Sequence, residues 1–162
     1  MNFQNYKKYF FYLFVILTVF IIDRLTKVLI INILEDTGSV DIYINSFLSF
    51  YLVWNTGIGF GLMSYDQGQI YNTITVIIGI INLIIIYLLS IEKIYKAFFL
   101  AIILGGSLGN FIDRLYFNAV PDFIDLNYKG YHWFIFNVAD VFITIGIICL
   151  IFAEILNYKK LK

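Results

Sequence analysis

From Ile70 to Ile91 the chain runs without a charged residue. About 20 apolar residues suffice for a helix to cross the hydrocarbon core of a bilayer, so this run predicts a membrane span and argues against a soluble fold. Three companions extend the pattern. Tyr9–Ile22 is apolar apart from Thr18. It is followed by Asp23-Arg24-Leu25-Thr26-Lys27, after which apolar sequence resumes to Leu34. Ala97–Leu115 and Val138–Leu156 complete the set. The start of the first run, behind Lys7 and Lys8, also has the look of a secretory signal peptide, but no small-residue cleavage site follows. The expected architecture is an integral membrane, mainly α protein of one domain, 1–162. Its four transmembrane helices lie at about 9–33, 70–91, 97–115 and 138–156, with outer segments at about 34–69 and 116–137.

Composition agrees with this and removes several functions. Of the 162 residues 61% are hydrophobic, and the mean hydropathy is +0.86, beyond the range of ordinary soluble domains. Eleven basic residues balance eleven acidic ones and form no basic stripe, so no nucleic-acid partner is expected. Cys149 and His132 are the only cysteine and histidine. A zinc cluster and an intrachain disulfide are therefore implausible, and Cys149 reads as a small buried hydrophobe.

The distribution of lysines sets the topology. Lys7, Lys8, Lys93, Lys96, Lys159, Lys160 and Lys162 fall on one side of a four-span arrangement. The positive-inside rule then places both termini in the cytoplasm, and Asn55, Asp122 and Asp140 toward the outer face.

Ionisable residues are costly at a membrane edge unless paired, hydrated or used. Gly105–Gly146 nevertheless holds Asp113, Arg114, Asp122, Asp125 and Asp140. Asn110, Asp113 and Arg114 are spaced to share one face at the end of the third span, and Asp23 and Lys27 are spaced i,i+4 to pair on the first. Gly105 and Gly109 form a small-residue pair of the kind that lets helices approach in lipid. Phe47–Trp54, rich in aromatic and β-branched residues, reads as a strand. Asn55-Thr56-Gly57-Ile58-Gly59-Phe60-Gly61 behind it reads as a turn. Tyr116–Phe136 reads as an aromatic loop in which Pro121 holds Val120 extended, so that Asp122 sits on irregular or strand-like backbone. Asn137 is a good N-cap for the fourth helix and Asp140 lies in its first turn, where an acid is favoured.

If Asp122 and Asp140 meet, two like carboxylates in a poorly hydrated site share one proton. One can then deprotonate a water while the other polarises a peptide carbonyl. The residues alone leave a second reading open, a transporter or channel element whose acids form an ion path.

The motifs, taken together, resemble the lipoprotein signal peptidases, or signal peptidase II, over nearly the whole chain. The resemblance is carried by Asp23-x-x-x-Lys27, Asn55-x-Gly57-x-Gly59-Phe60-Gly61, Gly105-Gly106-x-Leu108-Gly109-Asn110-x-x-Asp113-Arg114, Val120-Pro121-Asp122-Phe123-Ile124-Asp125 and Phe136-Asn137-Val138-Ala139-Asp140. It implies a catalytic pair at Asp122 and Asp140. Asn55, Asn110, Arg114 and Asn137 would line or support the site, joined by Gly61, Asp113, Asp23 and Lys27 from the same motifs. It implies four transmembrane helices with a small β-cradle and a short amphipathic helix on the outer side, in a bacterial cytoplasmic membrane. The implied partners are membrane lipids and a prolipoprotein signal peptide whose cysteine carries a diacylglyceryl group, cut just before that cysteine. The expected enzyme is a monomer and uses no metal or organic cofactor. Gly59 stands where that family usually has alanine, and Pro121 where it usually has valine.

Overall fold

Apolar runs of bilayer length have one way to satisfy their backbone groups internally, which is to form helices. The computed structural model describes residues 3–57 and 67–160, and all four runs are helical. The elements in order are α1 (Phe3–Thr37), β1 (Asp41–Asn45), β2 (Leu48–Asn55), α2 (Gln67–Ile91), α3 (Ile94–Phe117), β3 (Val120–Tyr128), β4 (Tyr131–Phe136) and α4 (Val138–Lys160). Gly68–Ile91, Ile94–Phe117 and Val138–Asn157 are long and apolar enough to cross a membrane. At 35 residues, or about 52 Å, α1 has the length, but its middle carries Asp23, Arg24 and Lys27.

The hub is α3, against which α1, α2 and α4 all pack. Its glycines make that possible. A Cβ on Gly105 would lie 2.8 Å from the Ile16 carbonyl oxygen of α1, and one on Gly106 would lie 2.7 Å from the Ala139 carbonyl oxygen of α4. One side of α3 thus seats α1 and another seats α4, the close approach expected of small residues in lipid. A core of Tyr12, Ile85, Leu89, Leu100 and Leu104 fills one end of the bundle. Ile30, Val40 and Phe123 join the other end to the sheet.

The sheet is antiparallel, in the order β1-β2-β3-β4. The 116–136 segment, expected as a loop, is mostly the β3–β4 hairpin. Asn118 ends α3 in the left-handed region at φ 54°. Lys129 and Gly130, at φ 51° and 78°, make the two-residue turn, both positive as a type I′ turn requires. Pro121 is tolerated for a reason in the register. It pairs with Trp54 of β2, whereas β4 pairs with β3 only between Ile124 and Tyr128. Beside Pro121 the β4 side has no strand to ask for its missing N–H. The short amphipathic helix expected on the outer side does not occur among the described residues, and Gly59 and Gly61 lie outside them.

Candidate active site

The site is assembled where the C-terminal end of α3, the N-terminal end of α4 and strands β2 and β3 converge. Its foundation is ionic. Asp23 and Lys27 pair at 2.8 Å as the spacing predicted, and both are fully buried. The Lys27 ammonium also donates to Asp113 Oδ2 at 2.7 Å and to Asn110 Oδ1 at 2.7 Å, so α1 is tied to α3. Arg24, which the motifs did not single out, completes the group by bonding Asp113. Asp113 is therefore held by Lys27 and Arg24 rather than by its neighbour Arg114. The second Asp23 oxygen accepts the Ala139 backbone N–H at 3.0 Å, which satisfies one of the orphan donors at the start of α4. Gly109 is what lets Asp23 come this close, since a Cβ there would collide with its carboxylate.

From this base the bonds lead to Asp140. The Asn110 Nδ2 group donates to Asp140 Oδ1 at 2.8 Å. The other Asp140 oxygen accepts the Asn137 backbone N–H at 3.1 Å, while Asn137 Oδ1 accepts the Asp140 N–H at 3.2 Å. That is a reciprocal capping arrangement, so the N-cap expectation for Asn137 holds. The same side chain does more. Its Nδ2 donates to Asp122 Oδ1 at 2.5 Å, and Asn55 Nδ2 donates to Asp122 Oδ2 at 2.7 Å. One fully buried asparagine thus bonds both acids.

Asp122 is 3% exposed. Burial raises its carboxyl to a pKa of about 6, the nearby Asp140 carboxylate adds to the rise, and the hydrogen bonds from Asn55 and Asn137 oppose it. A groove of about 280 Å³ lies beside Asp140, walled by Phe134 and Phe136 of β4 and by Val141, Thr144 and Ile145 of α4.

Arg114 sits at the end of α3 with Nη1 donating to the Asn110 carbonyl at 3.1 Å. Its buried Nε has no partner. Tyr71 of α2, absent from the sequence reading, donates its hydroxyl to the Arg114 carbonyl at 3.0 Å. No motif marked it, because a tyrosine in an apolar helix looks like core. Asp125 does not join the pair. It lies three residues from Asp122 on β3, so the two point to opposite faces. Its Oδ2 accepts from Ser49 at 3.0 Å and Asn127 at 2.9 Å and meets His132 Nδ1 at 2.7 Å. Burial alone would raise this carboxyl, but those three bonds hold it below its ordinary value.

Comparison with known proteins gives the site its context. A family model described as signal peptidase (SPase) II matches residues 15–156. The chain is 52% identical over 161 residues to a lipoprotein signal peptidase of Pelagibacter ubique, covering 99% of this chain and 97% of that one. It is 39% identical over 142 residues to the lipoprotein signal peptidase of Francisella tularensis subsp. novicida, covering 85% and 87%. A solved structure titled as a bacterial membrane enzyme, determined by the in meso method at 2.3 Å resolution, superposes with a TM-score of 0.73 at 29% identity. The match covers 93% of this chain and 91% of that one.

Proposed function

The chain belongs to the signal peptidase II family, and from that premise we propose that it is an aspartic endopeptidase. In this reading it removes signal peptides from prolipoproteins whose cysteine carries a diacylglyceryl group, cutting just before that cysteine. The observation that carries the proposal is Asn137, which bonds Asp122 and Asp140 at once. Two carboxyl groups held by one residue, Asp122 by its side-chain amide and Asp140 by its backbone N–H, favour a single shared proton.

In the proposed reaction the ionised member takes a proton from water, and the resulting hydroxide attacks the scissile carbonyl carbon. The protonated member donates to the carbonyl oxygen as it gains negative charge. Collapse of the tetrahedral intermediate breaks the C–N bond, and the proton taken from water passes to the leaving cysteine nitrogen. The signal peptide leaves with a new carboxyl terminus and the lipoprotein with a free amino terminus. Asn55, Asn110 and Asn137 orient the two acids. Arg114 has an unpartnered buried Nε–H, and an unpaired buried donor costs about 1–3 kcal/mol. A substrate carbonyl is the partner we assign to it. Asp23, Lys27 and Asp113 support the site from beneath, and Gly61 is assigned to the substrate side on the motif alone.

The membrane setting follows from charge. With α1 as a fourth span, the lysines of the termini and of the α2–α3 turn share one face. Both termini then lie in the cytoplasm and the site opens toward the outer leaflet of a bacterial cytoplasmic membrane. The groove beside Asp140 would receive the peptide laterally, leaving its lipid chains in the bilayer.

Replacing Asp122 or Asp140 by asparagine keeps size and removes the ionisable group. Each variant, expressed in a strain lacking its own peptidase, should leave lipid-modified precursor uncut. Normal processing by either variant would overturn the proposal. Intact processing with an altered ion flux would favour the ion-path reading instead.

A further inference from the structure

Glu92 and Glu154 are the only acids that the topology places at the cytoplasmic end, where seven lysines gather. Both lie at the mouth of one groove. Leu88 of α2, Leu100 of α3 and Ile151 of α4 line that groove, whose volume is about 390 Å³. It exists because α2 and α4 each pack on α3 and share no substantial packing with one another, so α3 forms the floor between them. Lys96 stands between the acids, 3.9 Å from Glu92 and in closer contact with Glu154. Two carboxylates around one ammonium leave one negative charge over. Lys8 donates to the Glu92 backbone carbonyl at 3.4 Å and stands over the Tyr9 and Tyr12 rings, without bonding either carboxylate among the described contacts.

The groove is in line with the catalytic pair. On α4, Asp140, Thr144, Ile147, Ile151 and Glu154 recur at helical spacing on one face. Asp140 and Glu154 are fourteen positions apart, or about 21 Å along the axis. On α3, Lys96 and Asn110 have the same separation. Ile147 and Ile151 are half-exposed along the way, giving an apolar track from the acidic mouth to the reacting carboxylates.

We infer that Glu92 and Glu154 bind the basic N-terminal segment of the signal peptide while its apolar segment lies along this track. The inference rests on the proposed function. A signal peptide has a positively charged start followed by an apolar segment of about 7–15 residues, which as a helix spans roughly 10–22 Å. A peptide with its scissile bond at Asp122 and Asp140 therefore brings its first lysines to the level of Glu92 and Glu154. The other charged side chains that the sequence assigns to this end are lysines, so the acidic mouth is what attracts a cationic segment there and sets the register in which the peptide is presented.

The test uses the full chain in phosphatidylglycerol bilayers and two diacylglyceryl-modified precursors. One has two lysines in its N-terminal segment and the other has both replaced by glutamine. The Glu92→Gln/Glu154→Gln variant should raise KM for the lysine precursor about fivefold, the ratio set by ~1 kcal/mol for a partly exposed ion pair. It should leave kcat and all cleavage of the glutamine precursor unchanged, which also shows the variant to be folded. Lys96→Gln should act in the opposite sense and lower KM for the lysine precursor, because it uncovers a second negative charge. Equal losses on both precursors, no change on either, or a Lys96→Gln effect in the same direction as the double variant would each overturn the inference. So would an effect that arises only when phosphatidylethanolamine is added and is equal for both precursors, since a lipid ammonium would then be the occupant. If wild-type protein cuts neither precursor, the proposed function fails and this inference with it. If wild-type protein cuts both and the variants match it, only the inference fails.

Discussion

Lys27→Met removes a cation that bonds three side chains at once. Its ammonium lies 2.8 Å from Asp23, 2.7 Å from Asp113 and 2.7 Å from the Asn110 side-chain oxygen. Lys27, Asp23 and Asp113 are each fully buried. Methionine fills similar volume, so little packing is lost and the effect is electrostatic. Two buried carboxylates then share Arg24, which retains 24% side-chain exposure. Breaking a buried pair by removing one partner costs about 3–5 kcal/mol, whereas removing both members costs much less. Lys27→Met should therefore destabilise by about 3–5 kcal/mol. Lys27→Met/Asp113→Asn should fall short of the sum of the single variants by about 2 kcal/mol or more, because one acid and one base remain. Unfolding of purified protein by a denaturing detergent titration, followed by circular dichroism, measures both quantities. A cost below about 1 kcal/mol for Lys27→Met, or simple additivity in the double variant, would refute the idea that this cation holds α1 to α3.

Asn55→Ala takes one donor from the Asp122 carboxylate, a bond worth about 1.5–3 kcal/mol to a charged acceptor. At least one limb of the pH profile of kcat/KM should move upward by about one unit, and a profile that is unmoved or moves downward speaks against Asp122 in the pair. The Asp122 carboxyl titrates near 6 in the folded protein, against about 3.9 unfolded. The native state therefore binds its proton more tightly, and wild-type stability falls as pH rises from about 4 through 6. Relative to wild type, Asp122→Asn should gain up to ~3 kcal/mol between pH 4 and pH 7.5, read from denaturation at the two pH values. A constant gap would show that no such strain exists. Arg114→Lys keeps the charge but loses the planar fork, and turnover of lipidated precursor should drop at least roughly tenfold, about 1.4 kcal/mol. Wild-type turnover would make Arg114 a headgroup anchor. In Gly109→Ala a methyl group would occupy the space of the Asp23 carboxylate, so a loss of about 2 kcal/mol or more is expected on the pattern of overpacked cores. Unchanged thermal stability would place α1 and α3 further apart than described.

The helices were legible because bilayer length leaves an apolar run few alternatives. The Asp23–Lys27 pair was legible because i,i+4 geometry is local. The β3–β4 hairpin was not. Its turn is Lys129-Gly130, not one of the stronger Asn-Gly or Asp-Gly signals, and Pro121 left the backbone at Asp122 readable as either irregular or strand-like. The choice is made by the register, in which β3 pairs with β4 only as far as Ile124, opposite Phe136, and no local pattern encodes that. Asn137 read as a cap, which it is, and its bond to Asp122 depends on where β3 lies in space. Arg24 was missed for a similar reason. Its partner is 89 positions away, beyond any local spacing rule.

The three asparagines explain how the two acids are held without a cation in direct contact. An ammonium has only donors, so Asn110 must turn its oxygen to Lys27 and present its NH₂ to Asp140. Asn137 commits its oxygen to the Asp140 backbone N–H and must present its NH₂ to Asp122. Asn55 gives its oxygen to the Gly57 N–H at 2.7 Å and likewise turns its NH₂ to Asp122. In each case an obligate donor behind the amide fixes which end faces the carboxylates. The acids are therefore gripped by neutral dipoles, and Asn110 stands between Lys27 and Asp140, bonded to both. A cation in direct contact would have favoured the ionised form of Asp122. Neutral amides hold the geometry while leaving burial free to keep the Asp122 carboxyl near 6. The site thus obtains rigid placement from neutral side chains, with the strong charges set one residue further back, which is the arrangement that the proposed shared proton requires.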